Sequence, residues 1–252
     1  MTIRGVFFDL YGTLLSYGDV DAAWADWLTV FETFLTAQGV PLKRDDLAAR
    51  MSGFLDRPEP VPAADGLTVY ERRIHVFLKD LGLAVDASQI HQISDASADA
   101  WQVYISLAPD AHQVLGDLKQ THVLALVSNY DHPPYVRRLL AAFDLLDYFE
   151  AIAISGDVGF KKPDPRIFAG VLGETGLQPQ EVIYVGDTLD DVRGAWAAGI
   201  QPVLIRRDGL ASQQGADFVD QAVDVSAGQD ELDDTLDGVP VVMSLAEVLA
   251  LV

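Results

Sequence analysis

Cysteine is absent from the 252 residues. That excludes disulfides, thiolate zinc sites, iron–sulfur clusters and a cysteine nucleophile. Cations are scarce: 17 Lys and Arg stand against 38 Asp and Glu, a formal net charge of −21. So acidic a chain is repelled by phosphate backbones and anionic membrane surfaces, and neither nucleic acid nor membrane is expected as a partner. Only 5 of the cations are Lys, a bias that suits a salt-rich cytoplasm and equally an ordinary acidic surface. Long apolar runs are missing too. No stretch nears the ~20 residues of a membrane span. The opening run Val6-Phe7-Phe8 ends at Asp9, too early for a signal peptide. A soluble cytoplasmic protein is expected; the oligomeric state is not legible.

What is present is a chain that is 50% hydrophobic and long enough to bury a sizeable core, as one large domain or a main domain with a smaller insertion. Short apolar runs lie at Ile3–Phe8, Val123–Val127, Ala151–Ile154, Val182–Val185, Pro202–Ile205 and Val239–Met243. Without strict alternation, such runs read as strands buried on both faces. Helical patterns at Pro134–Phe143, Pro165–Glu174, Leu189–Ala198 and Ser244–Leu249 separate them. Alternating strands and helices predict an α/β fold: a Rossmann-like parallel sheet with helices on both faces, binding ligands at the carboxyl ends of its strands.

The first connection breaks this rhythm. Helical patterns at Ala22–Gln38, Arg44–Phe54, Leu67–Leu81 and Ala87–Ile105 fill it, with no strong strand signal. The stripe Trp24, Trp27, Leu28, Phe31, Phe34 and Leu35 reads as helix packing. So long a crossover predicts an inserted helical domain, giving a core of 1–16 and 108–252 and a helical unit of 17–107, with hinges near Ser16–Gly18 and Leu107–Pro109. A second irregularity, Ser212–Gly238, is acidic and free of Lys and Arg, and reads as a solvated excursion.

Four short segments carry the chemistry. Asp9-Leu10-Tyr11-Gly12-Thr13-Leu14 places an acid at a strand end before a glycine turn, as nucleophile or metal ligand. Ser128-Asn129 offers a hydroxyl and backbone N–H to an anionic oxygen. In Lys161-Lys162-Pro163-Asp164-Pro165 a stiff loop holds a lysine where it neutralises a carboxylate or phosphoryl group. Gly186-Asp187-Thr188-Leu189-Asp190-Asp191 ends a strand and opens a helix with three acids, more than N-capping needs. All four fall at carboxyl ends and converge on one rim. Asp9, Asp187 and Asp191 then repel one another unless neutralised, and a hard divalent cation, Mg²⁺ where phosphates are handled, is the natural answer.

DLYGTL, SN, KKPDP and GDTLDD, in this order, resemble the four signature motifs of the haloacid dehalogenase-like hydrolase superfamily. The resemblance implies a helical cap after the first motif, and a Mg²⁺-dependent phosphatase of a small phosphorylated metabolite. It implies Asp9 as the nucleophile forming an aspartyl-phosphate, with Lys162 stabilising it. It assigns Thr13, Ser128 and Asn129 to the substrate, and the metal to Asp9, the Tyr11 carbonyl and Asp187, with Asp191 supporting through water. Asp191 is preferred over Asp190 because its surroundings match the family's helix start better.

The pattern departs from the phosphatases at one point. They normally carry a second Asp, the general acid and base, where this chain has Tyr11. The metal-independent 2-haloacid dehalogenases resemble the segment with Tyr there, and halide leaves unprotonated. Their fourth motif and substrate-binding arginine are not matched, since Trp27–Pro41 holds no Arg. A binding or regulatory role with weakened catalysis is the third reading. His132 could replace the missing proton carrier, but an exposed loop histidine is the expectation. Arg57, Arg72, Arg73 and His75 of the helical unit read as solvated helix residues.

Overall fold

A computed structural model describes residues 2–61, 64–206 and 236–252, so all of the acidic excursion before residue 236 lies outside the described residues. Numbered along the chain, the apolar runs form β1 (Gly5–Phe8), β4 (Val123–Ser128), β5 (Ala151–Ile154), β6 (Val182–Gly186), β7 (Gln201–Ile205) and β8 (Val241–Val242). These make one parallel sheet in the order β5-β4-β1-β6-β7-β8. Phe8 pairs with Leu126 on one side and Val185 on the other. The carboxyl ends of β4, β1 and β6 are therefore level, and the chain order reverses about β1, where such sheets open a crevice for ligands.

Side chains alternate across the strands. Val6, Phe8, Leu126 and Val185 face α5 (Ala111–Lys119) and α6 (Pro133–Ala142). Phe7, Ala125, Val127 and Tyr184 face α8 (Ala169–Thr175) and Ala195 of α9 (Leu189–Ala197). The short α7 (Ser155–Val158) follows β5. Local readings of helix differ in several places. α5 was not anticipated. Pro165–Phe168 is a 3-10 turn leading into α8 rather than part of one helix. The last segment, Leu245–Ala250, is a 3-10 helix whose buried Leu245 and Val248 stand three apart, the spacing that eclipses side chains in that form.

The insertion holds α1 (Val20–Ala37), α2 (Arg44–Met51), α3 (Val69–Asp80) and α4 (Ala87–Gln102). Each of α1, α3 and α4 starts at a side-chain N-cap: Asp19, Thr68 and Asp86. Trp27, Leu28, Phe31 and Leu35 of α1 bury a separate apolar cluster with Leu47, Phe54, Ile74 and Phe77, so the aromatic stripe is packing. Trp27 Nε1 donates to the Tyr70 hydroxyl at 2.8 Å, which meets Ser97 Oγ at 2.7 Å. The insertion's two connections contain strands that the sequence did not suggest. β2 (Leu15–Tyr17) and β3 (Ile105–Leu107) pair antiparallel, Ser16 opposite Ser106. The residues expected to hinge are thus laced together, and α4 stops short of Ile105.

Candidate active site

β1, β4 and β6 deliver the first, second and fourth motifs to one rim, and the chain beyond α7 brings Lys162 beneath them. The Lys162–Pro163 peptide is cis. Lys162 Nζ donates to Asp9 Oδ1 at 2.5 Å and Asp191 Oδ1 at 2.7 Å, with the Val127 carbonyl at 3.3 Å. Asp9, Lys162, Asp191, Ser128 and Thr13 are all buried. Two glycines make the arrangement possible. A Cβ on Gly12, at φ +80°, would lie 1.9 Å from Asp187 Oδ2, and one on Gly186 would lie 2.3 Å from Asp191 Cγ. Both carboxylates are packed against bare backbone.

Helix capping positions Asp191. Thr188 is the N-cap of α9, and Asp191 its reciprocal partner three residues on. Asp191 Oδ2 accepts from Thr188 N–H at 2.9 Å and Thr188 Oγ1 at 2.7 Å. Asp191 Oδ1 accepts from Lys162 and from the Tyr184 hydroxyl at 3.0 Å. Burial works to raise its pKa, but Lys162 and the Thr188 bonds hold it below the usual carboxylate value. Asp190 is exposed.

The other acids are less satisfied. Burial, offset by Lys162 and reinforced by the Asp191 charge, pushes Asp9 up to about 7. Burial and the charges of Asp9 and Asp191 push Asp187 well above its ordinary value. Oxygen atoms of Asp9, Asp187 and Asp191 lie within 4.8 Å of one another, yet Asp187 Oδ1 is buried with no hydrogen-bond partner. A carboxylate oxygen so placed fits a hard cation. Because both Asp191 oxygens are engaged by protein donors, Asp9 and Asp187 are the carboxylates best placed to hold one. For Lys162, burial is outweighed by its two carboxylates, which hold it above the usual lysine value.

A family model of haloacid dehalogenase-like hydrolases matches residues 3–199. The chain belongs to the haloacid dehalogenase-like hydrolase family. It is 30% identical over 198 residues to a phosphoglycolate phosphatase of Yersinia pseudotuberculosis, covering 78% of each chain. It is 29% identical over 205 residues to the phosphoglycolate phosphatase of Pectobacterium atrosepticum, covering 80% of this chain and 79% of that one. Among solved structures, a HAD phosphatase from Thermococcus onnurineus superposes with a TM-score of 0.63 at 23% identity, over 99% of this chain and 97% of that one. As a haloacid dehalogenase-like hydrolase, the chain carries its family motifs on the rim just described.

Several neighbouring residues are committed to contacts of their own. The Asn129 side chain faces the third motif: its Oδ1 accepts from Lys162 N–H at 2.8 Å and its Nδ2 donates to the Lys162 carbonyl at 3.1 Å. The side-chain amide thereby fixes the Lys162 backbone. His132 is not an exposed loop residue but 3% exposed, with Nδ1 2.9 Å from Thr68 Oγ1 and Nε2 3.2 Å from Ser94 Oγ. Both nitrogens are held by the insertion, and burial lowers its pKa. Arg73 is buried as well, paired with Asp131. Arg72 pairs with Asp65 and Arg57 lies over the Phe54 ring. Tyr11 stacks between Tyr17 (5.4 Å) and Tyr130 (5.3 Å), and Tyr130 stacks on Tyr135. Burial, then the neighbouring phenols, pushes the Tyr11 hydroxyl well above its ordinary pKa. Tyr184 was missed: its hydroxyl lies 2.9 Å from the Val127 carbonyl and accepts from Lys162 Nζ at 3.0 Å. Its only signal was a phenol in an otherwise aliphatic buried strand.

Proposed function

We propose that the chain is a Mg²⁺-dependent phosphatase of a small phosphorylated metabolite, with Asp9 as nucleophile. The single observation that carries the reading is Asp187 Oδ1, buried without a partner beside the carboxylates of Asp9 and Asp191. A site built to attack without a cation has no use for a third acid that turns a buried, unpartnered oxygen toward the other two. Asp9, Asp187 and the Tyr11 backbone carbonyl would hold the ion, and Asp191 supports the site through its hold on Lys162. When bound, Mg²⁺ supplies charge neutralisation for the phosphoryl oxygens and for the carboxylates.

In the first half-reaction a carboxylate oxygen of Asp9 bonds to phosphorus. The bond from phosphorus to the leaving oxygen breaks, and that oxygen keeps the electron pair. In the second, water attacks phosphorus, inorganic phosphate departs and the Asp9 carboxylate is restored. Lys162 keeps Asp9 oriented and opposes its protonation. Ser128, at the end of β4, and Thr13 meet the phosphoryl oxygens. The insertion, residues 17–107, acts as a cap that keeps water from the site.

Tyr11 limits the rate. The leaving oxygen has no carboxylic acid two residues after Asp9, and His132 is committed to Thr68 and Ser94. Esters with acidic leaving groups are turned over best. The same Tyr11 favours a second reading, displacement of halide from a 2-haloacid. The relatives, named as phosphoglycolate phosphatases, support the first and point to a short acid phosphate as substrate. Purified protein is incubated with a panel of such esters and an acyl phosphate, in Mg²⁺ or EDTA, and phosphate is measured. Metal-dependent release that Asp9→Asn abolishes is expected. Release from no compound, with halide released from 2-haloacids in EDTA, overturns the proposal.

A further inference from the structure

A chain of alternating charge crosses the junction between the insertion and the sheet. Glu59, between α2 and α3, meets Lys161 Nζ at 2.8 Å. Lys161 donates in turn to Asp131 Oδ1 at 2.7 Å, and Asp131 Oδ2 accepts from Arg73 Nε at 2.9 Å. The two ends belong to the insertion. The middle pair belongs to the two core loops that carry Ser128 and Lys162. Burial deepens along the chain, from a Glu59 side chain 48% exposed to an Arg73 side chain 3% exposed. The deep end is tied several times over. Arg73 also donates to the carbonyls of Phe54 (3.4 Å) and Arg57 (2.5 Å), and Tyr70 N–H donates to the Asp131 carbonyl at 3.1 Å. A guanidinium this buried is costly without its carboxylate, so the pairing specifies how α3 seats on the loop.

We propose that Asp131 is a positioning residue: one carboxylate oxygen on Lys161 and the other on Arg73 lock both catalytic loops to the insertion and thereby set the reach of Lys162 to Asp9. Asn129 completes the link, because its amide grips the Lys162 backbone on both sides. A shift of the loop around Asp131 carries Lys162 with it. Asp131 touches no reacting group and acts through its neighbours. The kinetic part of this proposal rests on the hydrolase reading; the structural part does not.

The test uses the full chain with Asp131→Asn and, separately, Lys161→Met, a half-exposed side chain whose loss spares the core. Hydrogen exchange is followed at the Tyr70 and Lys162 amides, and turnover of p-nitrophenyl phosphate is measured with Mg²⁺. In Asp131→Asn both amides exchange at least about tenfold faster while β6 keeps its protection. Misplacing Lys162 lowers kcat about ten- to a hundredfold, with KM within about twofold. Asp131→Glu recovers part of the loss, and Lys161→Met shows the same pattern more weakly. Wild-type exchange at both amides in either variant overturns the proposal. So does a raised KM with kcat unchanged, which would set Asp131 against the substrate. Should the wild type release no phosphate from any donor, the hydrolase reading fails and exchange alone decides the role of Asp131. Should Asp131→Asn fail to fold, Lys161→Met decides.

Discussion

Replacing Asp187 by Asn is expected to stabilise the metal-free protein while removing its response to Mg²⁺. The carboxylates of Asp9 and Asp187 have oxygens within 4.8 Å, and at an effective dielectric constant of ~20 two like charges at that distance repel by about 3 kcal/mol. Metal-free protein escapes part of this by protonation, since Asp187 and Asp9 both titrate above their unfolded values, Asp9 at about 7. The fold therefore binds more protons than the unfolded chain above pH ~4, and metal-free wild type loses stability as pH rises toward 7. Asp187→Asn lacks the Asp187 share of that loss and keeps the share due to Asp9, so its advantage over wild type grows with pH. At pH 8 an advantage of ~3 kcal/mol corresponds to about 6–12 °C in Tm for a chain of this length. With Mg²⁺ at a hundred times its dissociation constant, wild type gains ~2.7 kcal/mol, and the variant gains little. Differential scanning fluorimetry at pH 5 and pH 8, in EDTA and in Mg²⁺, reads all four conditions. A variant that melts below wild type in EDTA at pH 8, or that Mg²⁺ stabilises as much as wild type, refutes the reasoning.

Three further outcomes follow from the same geometry. Lys162→Met leaves Asp9 and Asp191 buried without their cation, so urea unfolding at pH 7 shows a loss of about 3–5 kcal/mol, much of it recovered in acid, and turnover is abolished. Tyr11→Asp places a carboxylic proton donor two residues from Asp9, and assays of alkyl against aryl phosphates are expected to show alkyl turnover rising about 10²-fold. Gly12→Ala drives a Cβ to within 1.9 Å of Asp187 Oδ2 at φ +80°, and titration calorimetry detects no Mg²⁺ binding in the folded variant.

Much of the site was legible because a parallel sheet exports its carboxyl ends to one rim. Asp9 and Asp187 each follow an apolar run, and knowing that the runs alternate with helices is enough to bring them together. Asp191 was readable as well, since the third residue of a capped helix has a fixed place relative to its cap Thr188. What was not legible depends on contacts distant in sequence. β2 and β3 are three-residue strands whose partners lie across the whole insertion. Nothing local says that the Asn129 amide reaches the backbone of Lys162. His132 and Arg73 read as solvated because the local pattern is polar. They are buried because α3 and α4 fold back onto the loop after β4. Tyr184 was hidden inside an apolar run, where a phenol counts as one more buried ring until its hydroxyl is traced to Lys162. Among the described residues no helix is long and apolar enough to cross a membrane.

Whether Asp9 carries a phosphoryl group, as proposed, or an alkyl one is read from the fate of a labelled water. Water opens an aspartyl-phosphate at phosphorus but opens an aspartyl ester of a carbon substrate at the Asp9 carbonyl. Turnover in H₂¹⁸O, followed by mass spectrometry of the product and of the peptide bearing Asp9, separates the two. Label is expected in the released phosphate and none in Asp9. Label accumulating in the Asp9 carboxylate would contradict it.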